Sequence, residues 1–184
     1  MQKKNNINFS NLIITLTTII FATTSLITVM VSVTAWKEER EAVRPYLTIN
    51  NSPIVELNSN LSFKFEFNNV GLHPAANLHS QTIITECTLN EEPLYTEQIS
   101  LVNNIPQNTC SELLIQIDKS NIDINNYPPH YIIISLKYSD PIINKAHEQI
   151  IYLKWAGITN NKVQQIYHAS IDDKNKIVEF LAKL

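Results

Sequence analysis

Glycine is almost missing from this chain, with Gly71 and Gly157 the two examples in 184 residues. A loop that cradles phosphate, of the P-loop or dinucleotide type, needs several glycines in close succession, so a nucleotide-fold enzyme is disfavoured from the start. Charge is sparse too, at 17% Asp, Glu, Lys and Arg, against roughly a quarter in ordinary soluble proteins. That charge sums to −3 and its lysines are scattered, which removes the basic footprint a nucleic-acid backbone requires. No nucleic-acid partner is expected.

Methionine and cysteine are equally scarce. The methionines are Met1 and Met30, the latter inside a long apolar run, so a blue-copper site with its two His, one Cys and usual Met has no ligand set. Five histidines, His73, His79, His130, His147 and His168, form no HxxxH, HExxH or zinc-finger spacing, and loop or surface positions are their default. No metal and no cofactor are expected. There is no GxSxG elbow, and Glu91, Glu92, Asp118, Asp123, Asp140, Asp172 and Asp173 fall mostly in turn-like segments, where acid pairs are usually solvated. No catalytic residue is assigned.

The abundant feature is one long apolar run. Residues 11–35, NLIITLTTIIFATTSLITVMVSVTA, contain no Asp, Glu, Lys, Arg, Pro or Gly. About 25 residues at ~1.5 Å each make a helix of ~37 Å, enough to cross a hydrocarbon layer of ~30 Å with some tilt. Its hydroxyls can bond back to the preceding turn and so do not forbid insertion. Trp36 falls where an interfacial anchor belongs, followed by Lys37, Glu38, Glu39 and Arg40. The reading is a short tail over 1–10, a transmembrane helix over 11–36 in contact with the lipid bilayer, and a charged helical stalk over 37–44 that Pro45 ends. A cleaved signal peptide competes, on Lys3, Lys4 and Val33-Thr34-Ala35, but the apolar stretch exceeds the ~7–15 residues of a signal core. Positive charge nearly ties across the span, with Lys3 and Lys4 on one side and Lys37, Arg40 and Arg44 on the other. A short basic start and a long downstream domain favour N-terminus in and domain out. With the Ile, Asn and Lys bias of an AT-rich bacterium, this gives a single-pass protein of the bacterial inner membrane with a periplasmic or extracytoplasmic domain.

After Pro45 the apolar period changes. Leu61, Phe63, Phe65 and Phe67 alternate with Ser62, Lys64, Glu66 and Asn68, the signature of a half-buried strand. Noisier runs over 46–49, 78–89, 113–117, 131–138 and 149–155 are rich in Ile, Tyr, Phe or Thr. Between them asparagine replaces glycine as turn residue, in the pairs 50–51, 68–69, 103–104, 125–126 and 160–161, because it tolerates positive φ. Without long amphipathic helices between strands, an antiparallel β-sandwich over 45–157 is expected. In the remaining segment, 158–184, Ile177, Phe180, Leu181 and Leu184 follow a helical period, and Ser170 with Asp173 forms a capping box. A helix over 171–183 that packs on the sandwich is expected. The fold class is mainly β.

Cys87 and Cys110 are a candidate disulfide between neighbouring strands if the domain faces an oxidising compartment, and two small core residues if it faces the cytosol.

Three groups, Arg44-Pro45-Tyr46, residues 68–77 (NNVGLHPAAN) and Tyr138-Ser139-Asp140, together resemble a pattern of uncharacterised bacterial single-pass membrane proteins with a signal anchor. There an RPY start precedes an N-x-G-x-x-P-A-x-N turn and a later Y-x-D hairpin. The resemblance implies an immunoglobulin-like β-sandwich and no reaction. The glycine expected after Y-x-D is replaced here by residues 141–145. In physical terms Gly71 and Pro74 are structural turn residues, Gly71 suited to positive φ and Pro74 unsuited to a central paired position. A ligand loop is the sharper alternative.

These observations lead to a membrane-tethered, non-enzymatic binding or assembly module at the bacterial cell envelope, whose partner is another membrane or envelope protein. Two other readings stand beside it. One is an envelope hydrolase with a dispersed site drawn from His73, His130 and Asp140. The other is a membrane-anchored cytosolic domain of a regulatory complex.

Overall fold

The structure, a computed structural model, describes residues 9–89, 92–118, 120 and 122–183. Expectations attached to Lys3, Lys4, Glu91 and Leu184 lie outside the described residues. The chain forms two units, one ending at Val43 and the other beginning at Arg44.

The first unit is helix α1, Phe9–Ala42, with no residue buried by protein. It runs through the apolar segment and the charged residues after it without a break, ~51 Å at ~1.5 Å per residue. It is long and apolar enough to cross a membrane. All seven of its threonines, Thr15, Thr17, Thr18, Thr23, Thr24, Thr28 and Thr34, donate their hydroxyls to a carbonyl one turn back. A hydroxyl bonded this way enters hydrocarbon without an orphaned donor. Beyond the apolar run the Arg40 guanidinium lies over the Trp36 ring, 4.4 Å from its centre.

The second unit is a sandwich of antiparallel sheets. One sheet is built on β3 (Asn60–Asn69), with β6 (Cys110–Asp118) along one side, and β1 (Leu47–Ile49) and β2 (Ile54–Leu57) sharing the other. The second sheet has the order β11 (Ile166–His168), β8 (Lys145–Trp155), β7 (His130–Asp140), β4 (Ala75–Glu86), β5 (Tyr95–Ile105). A small hairpin of β9 (Ile158–Thr159) and β10 (Lys162–Val163) forms a separate ladder, with Ile158 buried in the same core. The chain passes between the sheets after β3, after β5 and after β6.

The alternation in β3 does what its period demands. Leu61, Phe63, Phe65 and Phe67 are fully buried. They face Ile132, Ile134, Leu136, Leu153 and Trp155 of the opposite sheet in one core, and Phe63 meets Trp155 edge-on at 5.1 Å. Burial of such side chains contributes about 1.5–3 kcal/mol each. The strand β5 has no counterpart among the runs read from the sequence. Its polar stretch, TEQIS, belongs to an edge strand that is not required to bury two faces.

The helix α2, Ile171–Leu181, opens with the capping box of Ser170 and Asp173. It lies on the outer face of the second sheet, where Ile177 is buried against Tyr131 and Ile133. That cover explains why β7 is buried on both faces near its start. The asparagine reading needs correction in detail. Among the described residues positive φ occurs at Asn77, Leu89, Asn108, Asn144, Gly157, Asn160 and Asn161, so among the expected pairs only 160–161 uses it, and the other asparagines that do are single.

Candidate functional site

The three sequence groups that carried the resemblance meet in space. Asn69, fully buried at the end of β3, accepts from the backbone N–H of Tyr46 at 3.2 Å and of Gly71 at 3.1 Å. Its amide donates to the carbonyls of His73 at 2.8 Å and Ile105 at 3.0 Å. Every bonding site of one side chain therefore ties the domain's first strand, the 70–74 loop and the end of β5 together. From the same loop, His73 Nδ1 lies 2.6 Å from Oδ2 of Asp140, whose side chain has no exposed surface. The other Asp140 oxygen accepts from the amides of Ile142 and Ile143 at 2.9 and 3.3 Å. Next to it the Tyr138 hydroxyl donates to the Pro45 carbonyl at 3.3 Å.

Burial alone pushes the Asp140 carboxyl up, but the His73 hydrogen bond and the two backbone amides reverse this and leave it below the usual carboxylate range. The β7 to β8 hairpin closes without the glycine that the resemblance leads one to expect. Asp140 holds the turn from inside, and Asn144, with φ of 52°, supplies the left-handed residue.

Gly71 is a structural residue for a reason other than the expected one. Its φ is not positive. A Cβ there would lie 2.1 Å from the Arg44 carbonyl oxygen and 2.7 Å from both Pro45 Cα and Tyr46 N, so it is the close approach of two backbones that requires glycine. Pro74 sits immediately before β4, outside the ladder, where its missing N–H costs nothing.

The hydrolase triad is not assembled. His73 and Asp140 are paired, but His130 begins β7 and Asp140 ends it, ~30 Å apart at ~3.3 Å per residue. His130 is buried and stacked on the Tyr127 ring at 4.8 Å, and Nδ1 lies 2.8 Å from the Pro128 carbonyl. Desolvation lowers its pKa, which favours the neutral ring. Among the described residues no Ser, Thr or Cys side chain is bonded to His73 or Asp140. The other histidines are dispersed: His79 contacts Ser100 at 2.9 Å, His147 stacks on Tyr138, and His168 is exposed on β11. No cluster of three His, Cys, Asp or Glu side chains suited to a metal occurs among the described residues.

Both cysteines are free thiols. Cys87 packs under α2 on the outer face of the second sheet. Cys110 begins β6 and is exposed on the outer face of the first. Sheets in a sandwich are ~10 Å apart, whereas a disulfide needs Cα atoms within ~7 Å, so this pair does not meet within one molecule.

A second polar node, missed in the sequence beyond its capping role, is Asp173. Its carboxylate accepts from the Tyr131 hydroxyl at 2.5 Å and from Lys154 Nζ at 3.4 Å while closing the capping box. The Tyr131 hydrogen bond, ahead of Ser170 and Lys154, holds it down at about 2 despite its partial burial. Only the capping pattern was visible in the sequence, because Tyr131 and Lys154 approach through the tertiary fold.

No protein-family profile matches the chain, and no curated protein sequence matches it. Among solved structures, β-glucosidase 3B from Thermotoga neapolitana in complex with α-D-glucose is similar over 68% of this chain, at 10% identity and a TM-score of 0.32. The chain spans 17% of that enzyme's length. A likeness at this level carries no argument about activity.

Proposed function

We propose that this chain is a membrane-tethered, non-enzymatic module of the bacterial cell envelope, which holds an immunoglobulin-like sandwich outside the inner membrane for binding or assembly with another membrane or envelope protein. The observation that carries the reading is α1, apolar and unburied along the stretch that the sequence marks as a span, with every threonine hydroxyl satisfied inside the helix. The immunoglobulin-like part is supported by the strand order, with its three passages between sheets. The non-enzymatic part is supported by the use of the sequestered polar groups: the buried Asn69 and Asp140 and the partly buried Asp173 spend their hydrogen bonds on loops and on α2. The family resemblance of the three motifs agrees with their convergence at Arg44 to Tyr46.

One observation favours a second reading, the anchored cytosolic domain: two free thiols are at home in a reducing compartment. Both readings share the tether, and alkaline carbonate extraction of cell membranes tests it. The full-length chain is expected to stay in the pellet. Release into the supernatant would overturn the tether, and with it both readings.

A further inference from the structure

Along one side of the sandwich the two sheets end in strand edges that face each other. The edge of the first sheet is β1, hydrogen-bonded to β3 through Leu47, Thr48 and Ile49. The edge of the second is β8 over residues 145–151, because β11 pairs with Leu153, Lys154 and Trp155 only, after which Ala169 N–H reaches the Tyr152 carbonyl at 3.0 Å and the ladder stops. Between these edges runs a groove of about 370 Å³, whose walls include Thr48, Ile49, Ile150, His168 and Lys174. Seven residues of strand edge extend over ~23 Å at ~3.3 Å per residue.

One side chain bridges the groove. Gln149 Oε1 accepts from Leu47 N–H at 3.3 Å, and its Nε2 donates to the Leu47 carbonyl at 2.5 Å. This paired donor and acceptor is what a residue of an antiparallel neighbour offers in a hydrogen-bonded pair. The Gln149 amide thus does for β1 what one residue of an added strand would do. Beside it the half-exposed Tyr46 and Ile150 present apolar surface at 45% and 40% exposure. Lys174, over the Tyr152 ring at 5.1 Å, and His168 are the ionisable groups of the lining apart from tyrosines, with no carboxylate among them. The opposite edge of this sheet, β5, is less suitable, since its ladder shifts register at Leu78/His79, and irregularity of that kind protects an edge.

We propose that this groove receives an extended peptide segment of a partner protein, added as a strand along β8, with apolar side chains at alternate positions and a carboxylate that meets Lys174 and His168. The inference rests on the binding-module reading and names its surface and its partner's chemistry. Gln149 acts as the internal occupant that the peptide displaces from Leu47.

The test uses the full-length chain in detergent micelles and a fluorescent decapeptide of alternating valine and threonine with one central glutamate. Saturable binding is expected, with slowed amide exchange at 47–49 and 145–151. Gln149→Ala, which releases both Leu47 groups for the peptide, is expected to tighten binding about fivefold, the worth of one net hydrogen bond. Lys174→Glu, an exposed change that leaves the fold intact, is expected to weaken it about threefold. Absent binding, protection along β5 instead, or indifference to both substitutions overturns the proposal. Self-association of the chain through 47–49 and 145–151 overturns it in favour of a second copy as occupant. A chain that fails to bind peptide yet resists carbonate extraction refutes this inference alone.

Discussion

Asn69 and Asp140 are buried polar side chains with their partners in place, and each holds a backbone segment that has no ladder of its own. Removal of such a group leaves donors orphaned in a low-dielectric interior, which costs more than the net worth of the bonds. Asp140→Ala is therefore expected to destabilise the domain by about 3 kcal/mol, read as a lowered urea midpoint. The carboxyl sits below its unfolded value, so its contribution is complete above the ordinary Asp range near pH ~4 and is lost as pH falls through the depressed folded value. Asp140→Asn should flatten that acid limb of the stability profile, whereas an unchanged limb would assign the acid sensitivity to other groups. Gly71→Ala places a methyl group on the Arg44 carbonyl and the Tyr46 nitrogen, and about 1–3 kcal/mol of overpacking is expected. Thermal unfolding checks it. The sequence identified Gly71 and Pro74 as punctuation but mistook the reason for the glycine. Close approach between residues 44–46 and 71 is a contact across the fold, and a turn signal read locally cannot contain it.

At the scale of elements, α2 is attached by one fully buried side chain, Ile177, and by the shared carboxylate of Asp173. Asp173→Ala removes the N-cap partner and the Tyr131 and Lys154 contacts together, an expected loss of about 2 kcal/mol. Faster amide exchange should be confined to 171–181, with β3 and β7 unchanged. A uniform increase would mean that α2 and the sandwich unfold as one unit. Since Asp173 is held at about 2, its stabilisation is complete above pH ~4 and fades between there and about pH 2. This helix and β3 were legible because each has a strict period, helical with a capping box in one and two-residue alternation in the other. The strand β5 was not, because an edge strand with TEQIS at its start carries little apolar alternation. Nor did the asparagine pairs mark the turns well. Left-handed backbone is needed at single positions such as Asn77 and Asn144, and the doublets elsewhere have ordinary φ.

For the molecule as a whole, the helix and the sandwich differ in what they expose. One presents an apolar surface with internally bonded hydroxyls, and the other buries Phe63, Phe65, Phe67, Ile132 and Ile134 between two sheets. That division was readable from the sequence as a change of period at Pro45. The convergence of the three motif groups was readable only as co-occurrence, since hydrogen bonds such as Asn69 to Ile105 and His73 to Asp140 link residues 36 and 67 positions apart. The proposed function requires α1, which is long and apolar enough to cross a membrane, to hold the sandwich on its outer side. Protease treatment of spheroplasts carrying a C-terminal tag on the full-length chain, with and without detergent, tests this most directly. Loss of the tag without detergent is expected, and a tag protected until detergent is added would overturn the outward placement of the sandwich.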